Sequence, residues 1–291
     1  MESNNIKSII DSLALQYDKQ DQSILNVKNL VNNVDAPQNL FDLAFVIITP
    51  DSIHNEKAED IVKYICEKTD SKIVSARLKY LDDHQIEELY KYTFQKRIKS
   101  NEQTFWWLMR KSFNNNPCLA LILHNDHHEK EFFCHTILEM KGSYAISSNY
   151  TGETIRHHFN AFSRILAVIH SSDDVMCLLR EASLFFTEKE LKNLLSSISK
   201  FHEIKIETIH DMVNSNSEGG ILDTLKKRLQ ATFTTTESRN YYLQTAQQIV
   251  ESSGIDIPMT DFGYIIRKAN IYLNEWDEIY LLNKLFFDKN Y

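Results

Sequence analysis

"LFDLAFVIIT", residues 40–49, is a nearly unbroken apolar run rich in β-branched side chains. Such a run suits a strand buried on both faces, because a half-exposed strand alternates apolar with polar. "PDS" (50–52) breaks it. Ala58, Ile61, Val62 and Ile65 then recur at helical spacing over 56–68, and "SKIVSARLKYL" (71–81) reads as a second strand. Helix is predicted over 82–98, with Asp82 or Asp83 as N-cap, and again over 102–113, where "NNNP" ends it. "CLALILH" (118–124) reads as a third strand, and "KEFFCHTILEMKG" (130–142) mixes strand and helix signals. Residues 154–162 read as helix, "ILAVI" (165–169) as a fourth strand and 173–182 as helix. The order β-α-β-α-α-β-α-α-β-α predicts an α/β (α+β) domain with helices covering the sheet. The split βαβ, ferredoxin-like arrangement is its natural candidate.

Helical spacing also runs through 3–33, at Ile6, Ile9, Ile10 and Leu13 and again at Ile24, Val27, Leu30 and Val31, before "DAPQN" (35–39) interrupts it. Beyond residue 187 the pattern is helical throughout, over 188–200, 203–214, 221–233, 238–252, 261–273 and 275–287. Three parts are therefore expected: a helical extension (1–39), the α/β domain (40–191) and an all-helical C-terminal domain (192–291).

Hydrophobic residues make up 43% and charged residues 25% of the chain, which is globular rather than disordered composition. A formal charge of −8 speaks against nucleic acid as the partner. Cys66, Cys118, Cys134 and Cys177 are scattered with no C-x-x-C pair, as expected of reduced thiols in a cytoplasmic protein. "MESNNIKSII" lacks the marks of a signal peptide, and no apolar run is long enough to span a membrane. "HNDHHEKEFFCH" (124–135) gathers His124, His127, His128, Cys134 and His135. Its spacing matches no standard metal site, so it reads as a polar turn and no metal site is assigned.

The chemistry-bearing stretch is "LAVIHSSDD" (166–174). His170 is either a packed histidine at a strand end or a displayed nucleophile. Ser172 and Asp173 suit the N-cap of the next helix, whose N-terminus favours anions. Glu181, eleven residues beyond His170, can fold back toward the strand. An imidazole with one nitrogen held by a carboxylate is a competent nucleophile toward phosphorus.

"VIHSSDDVMCLLREASLFFTEKEL" (168–191) resembles the active-site segment of nucleoside diphosphate kinases, with its His-Gly-Ser-Asp, its Glu eleven positions later, an aromatic pair and Glu-Leu. "FVIITPDSIHNEKAEDIVKYI" (45–65) is similar to that family's first strand, turn and helix. "ELYKY" (88–92), "FWWLMRKSFNNNP" (105–117) and "GETIRHHF" (152–159) resemble further blocks in the right order. The resemblance spans roughly residues 43–191 and makes 40–191 a kinase-like domain. It implies that His170 takes a phosphoryl group from a nucleoside triphosphate and passes it to a diphosphate. Glu181 and Ser172 would orient the ring and Tyr90 would stand beside the transferred group. Arg156 would neutralise phosphate, while Phe105 and Met109 would sandwich the base. Thr49 would occupy the last nucleotide-binding position. Mg²⁺ would arrive on the phosphates, and the protein would form homo-oligomers. Phe105 and Met109, spaced i, i+4, also suit a plain core stripe.

The departures are specific. Thr49 replaces the family's lysine, Leu138 falls where its second phosphate arginine belongs, Ala167 replaces the ribose-binding asparagine, and Ser171 replaces the glycine after the histidine. The loop 141–153 lacks the family's usual prolines. One charged donor to a transferring phosphate is worth about 2.7–4 kcal/mol, so Lys141 and Lys57 become candidate substitutes. Three functions follow: phosphoryl transfer through phospho-His170, a catalytically weak nucleotide-binding module whose helical domain engages a protein partner, or a helical interaction protein on a structural α/β scaffold that binds no nucleotide.

Overall fold

The computed structural model describes residues 3–34, 37–99, 105–114, 116–128, 132–142, 154–197, 201–214 and 273–287. Two helices, α1 (Ser3–Ala14) and α2 (Gln22–Asn32), and a 3₁₀ turn (Gln38–Asp42) lead into β1 (Leu43–Ile48). There follow α3 (Pro50–His54), α4 (Ala58–Thr69), β2 (Lys72–Tyr80), α5 (Asp83–Lys99), α6 (Trp106–Phe113) and β3 (Pro117–His124). Then come α7 (Phe133–Lys141), α8 (Ile155–His158), β4 (Ile169–Ser171), α9 (Val175–Ala182), α10 (Glu188–Ser196), α11 (Ile206–Asn214) and α12 (Glu275–Phe287).

The four strands lie in the order β2-β3-β1-β4, and every neighbouring pair is antiparallel. This is the ferredoxin-like order expected from the sequence. β1 is central, and no side chain along it is more than 2% exposed. Helices cover both faces, so each large β1 residue contributes about 1.5–3 kcal/mol by burial. Asp82 is the N-cap of α5: its carboxylate accepts from Gln85 N at 2.8 Å, and Gln85 Oε1 accepts from Asp82 N at 3.2 Å. The mixed signals at 130–142 resolve as helix α7.

The fourth strand differs from the expected "ILAVI". β4 begins only at Ile169, and residues 163–168 bend instead. Ser163 causes this, because its Oγ accepts from Ile165 N and Leu166 N, both at 3.0 Å, while Phe162 N and Ser163 N donate to Leu166 O. The apolar run reported burial, which a turn inside the core satisfies as well as a strand does. His170 therefore lies mid-strand, paired with Ile47 of β1.

Helices from the expected C-terminal domain pack on the α/β unit. Asn39 of the 3₁₀ turn donates to Leu194 O and Leu195 O of α10. Ile204, before α11, donates to Ile73 O of β2 at 2.8 Å. Trp276 of α12 stacks on His54 with centroids 4.8 Å apart, and Asn283 accepts from Ser163 Oγ at 2.5 Å. The loop 143–153 and the predicted helices between 221 and 273 lie outside the described residues. Among the described residues, no helix is long and apolar enough to cross a membrane.

Candidate active site

β4 carries His170 to the floor of a cavity of about 510 Å³. The turn before it is strained. Val168, a β-branched residue, has φ +67°, and Ile169 N donates to Ala167 O at 2.7 Å across it. A non-glycine residue in this region costs on the order of 1–3 kcal/mol. The 49–52 loop holds it there: Asp51 Oδ2 accepts from Val168 N at 3.2 Å, and Val168 O accepts from Ser52 Oγ at 2.9 Å and Thr49 N at 3.3 Å. The "TPDS" turn thus braces the chain two residues before the histidine, just ahead of the start of β4.

Helix α9 supplies the histidine's partner. All eight of its residues are buried, so its charged side chains must find partners inside. Glu181 Oε2 lies 2.7 Å from His170 Nε2 and accepts from Ser172 Oγ at 2.8 Å. Glu181 Oε1 accepts from Arg180 at 2.8 Å. Burial opposes ionisation of Glu181, but the His170 ring, Arg180 and the Ser172 hydroxyl outweigh it and hold the carboxyl below the ordinary glutamate range. A carboxylate only accepts, so the imidazole donates from Nε2 and turns Nδ1 toward reaction. Tyr90 stands edge-on to the ring, centroids 5.3 Å apart.

The N-cap of α9 is Asp174, which accepts from Cys177 N at 2.8 Å. It is neither Ser172 nor Asp173, the caps expected from sequence. Ser172 is committed to Glu181, and Asp173 is largely exposed at the cavity mouth, where it helps to line the opening. Asp174 is itself held by Tyr17 of the N-terminal extension, whose hydroxyl donates to it at 2.5 Å.

Tyr90, Phe105, Met109, Arg156, His170 and Glu181 all line this one cavity. Ser172 does not line it but is buried and donates to the lining Glu181. Thr49 does not line it: it is fully buried and sits at the N-cap position just before α3. Lys57 is likewise elsewhere, donating to Phe159 O at 2.9 Å. Sequence reasoning missed Arg180, which also donates to the backbone carbonyls of Glu88 and Leu89 and lies 4.9 Å above the Tyr92 ring. The all-round apolar character of α9 was the available signal, since an arginine in such a helix must be paired. Among the described residues, the lining cations Lys96, Arg97, Lys141, Arg156, Arg164 and Arg180 outnumber the anions Asp173 and Glu181. That balance suits a polyanionic ligand.

The His-rich stretch 124–135 is dispersed. His128 pairs with Asp42 at 3.1 Å and Cys134 is buried in the core. Among the described residues, no group of three or more His, Cys, Asp or Glu is arranged to hold a metal ion.

Arg156 depends on a glycine. It donates to Gly142 O at 2.8 Å and Ile169 O at 3.3 Å. Gly142 has φ +78°, and a Cβ there would run into the Thr154 side chain, which caps α8. Gly142→Ala is expected to cost about 1–3 kcal/mol and to displace Arg156. Denaturant midpoints together with nucleotide affinity check this, and an unchanged affinity would refute the link to Arg156.

A family model described as nucleoside diphosphate kinase matches residues 42–191. Solved structures similar to the chain include a transition-state mimic of the nucleoside-diphosphate kinase of Borrelia burgdorferi with bound vanadate and ADP. It is 20% identical, covers 51% of this chain and 88% of that chain, and has a TM-score of 0.41. The Aquifex aeolicus nucleoside diphosphate kinase is 16% identical, with 50% and 95% covered and a TM-score of 0.41. A halophilic nucleoside diphosphate kinase of Halobacterium salinarum in complex with CDP is 21% identical, with 51% and 90% covered and a TM-score of 0.39. A search of curated proteins returned no match.

Proposed function

This chain belongs to the nucleoside diphosphate kinase family, whose model spans just over half of it, and on that premise we propose that it transfers a phosphoryl group from a nucleoside triphosphate to a nucleoside diphosphate through His170. The observation that carries the reading is the His170–Glu181–Ser172 unit on the floor of a cation-lined cavity. Nδ1 attacks the γ-phosphorus, the bond from that phosphorus to the bridging oxygen breaks, and the nucleoside diphosphate leaves with that oxygen. Glu181 meets the positive charge that develops on the ring through Nε2–H. A diphosphate then reverses the sequence. Catalysis of this kind is mainly positioning and charge neutralisation, which Arg156 and its cationic neighbours provide. Mg²⁺ bound through the nucleotide phosphates would neutralise part of their charge, with no ligand required from the protein. Homo-oligomer formation is part of the same reading.

Phe105 and Met109 form the base clamp in this reading. Stacking a base on an aromatic ring is worth about 1–3 kcal/mol. Phe105→Ala is therefore expected to raise the nucleotide KM by roughly 5- to 150-fold, while the single-turnover rate at saturation stays within about threefold. A fall in that rate with KM unchanged would return Phe105 to the core.

A second reading is a catalytically weak nucleotide-binding module whose helical part engages a protein partner. The lack of a cation at Thr49 and at Leu138 favours it. Incubation with γ-labelled triphosphate and Mg²⁺ separates the two. Acid-labile label that transfers to a diphosphate supports the kinase, whereas binding without label supports the module.

A further inference from the structure

Lys141 is the last residue of α7, three residues beyond Leu138 on the same helix. Residues spaced i, i+3 share a face. The position of the missing arginine is thus followed, one turn later, by a lysine that does reach the cavity.

Its ammonium is buried and lines the same chamber as His170. It donates to Ser171 O, the carbonyl next to the histidine, at 3.1 Å, and stands 3.8 Å from Asp173 Oδ1. The charged groups that face it are Arg156 on α8, Asp173 after β4 and Glu181 on α9, and the titratable Cys177 of α9 faces it as a neutral thiol, because burial pushes its pKa up. Glu181 is already committed to His170, Ser172 and Arg180, and Asp173 is too far away for a hydrogen bond. A buried lysine serving only the fold normally has a close, hydrogen-bonded carboxylate. This one faces an arginine and an open chamber, an arrangement that an arriving anion completes.

We propose that Lys141 is the catalytic cation that replaces the family arginine lost at Leu138, pairing with the phosphoryl group as it moves between the nucleotide and His170 Nδ1. The inference rests on the kinase reading. It adds that positive charge has been relocated by one turn of α7 rather than lost.

Burial, followed by the nearby Arg156, pulls the Lys141 ammonium down to about 8. The cation is present below that pH and disappears as pH rises through it. The kcat/KM for phosphoenzyme formation reports the free enzyme. It should therefore fall about tenfold per pH unit above about 8. The same depression means that charging Lys141 costs the fold free energy at neutral pH, so removing the charge should not destabilise it.

The test uses the full chain, γ-labelled triphosphate and Mg²⁺ over pH 6.5–9.5, with wild type, Lys141→Met, Lys141→Arg and His170→Ala. Lys141→Met is expected to slow phosphoenzyme formation by roughly 10²–10³-fold, with a melting temperature no lower than wild type. Lys141→Arg should recover much of the rate and lose the alkaline fall. Should wild type label normally and Lys141→Met stay within about threefold of it, this inference fails while the kinase reading stands. Absence of label in the wild type brings down the kinase reading and this inference with it. Should Lys141→Met not fold, the wild-type and Lys141→Arg pH profiles still decide, since identical alkaline limbs would overturn the assignment.

Discussion

His170→Ala is expected to abolish acid-labile labelling and to reduce phosphoryl exchange by roughly 10⁴-fold or more, because loss of the nucleophile removes the covalent route rather than slowing it. The fold should survive. The ring meets Tyr90 by its edge and Glu181 through Nε2, and removing it leaves Glu181 bound to Ser172 and Arg180. The buried carboxylate keeps two of its three partners, so the stability loss should be about 1–3 kcal/mol. Nucleotide affinity should change little, because Arg156, Lys141, Phe105 and Met109 remain around the cavity. Intact labelling in this variant, measured by acid lability and phosphopeptide mapping, would place the nucleophile elsewhere and end the proposed mechanism.

The sheet was legible because its signals are local. The β1 run stays apolar at every position, so only a doubly covered strand fits it, and the structure gives it the central place. The His170–Glu181 relation was legible for a similar reason: a strand, a short turn and one helix bring the two together within eleven residues. The "ILAVI" segment failed because apolar runs report burial and not pairing; Ser163 closes a turn that no periodicity registers. The cap of α9 failed for want of geometry, since Ser172, Asp173 and Asp174 are all capping residue types. Which one caps depends on where Glu181 draws Ser172. Lys141 could be named from sequence but not placed, because its route to the site runs through the packing of α7 against β4. Lys57, equally eligible by charge, is turned to Phe159.

The second large effect concerns Arg180. Arg180→Met removes the cation from a buried pair whose side chains are 3% and 5% exposed. Breaking such a pair from one side costs about 3–5 kcal/mol, because the remaining charge is left in a poor solvent. Glu181 then loses one of the groups that hold it ionised, so its carboxyl moves up toward the ordinary value of 4.5. In the wild type that carboxyl is depressed, and its contribution is fully present above about 4.5 and is lost as pH falls below it. The stability gap between Arg180→Met and wild type should therefore be widest at neutral pH and narrow on acidification through that region. Denaturant titrations at pH 7 and pH 4 read this directly, and a gap independent of pH would mean that Arg180 acts through its carbonyl contacts to Glu88 and Leu89 rather than through Glu181. Combining Arg180→Met with Glu181→Leu separates the fold from the chemistry. Replacing both charges with apolar groups is often nearly neutral, so the double variant should regain part of the loss, held back by the abandoned Glu88 and Leu89 carbonyls and by the Ser172 hydroxyl and His170 N–H that lose their acceptor. Phosphoenzyme formation should stay lost, because the imidazole no longer has a carboxylate on Nε2. Stability restored without activity would show that the Arg180–Glu181 pair is retained for orienting His170; activity returning with stability would show that the histidine needs neither.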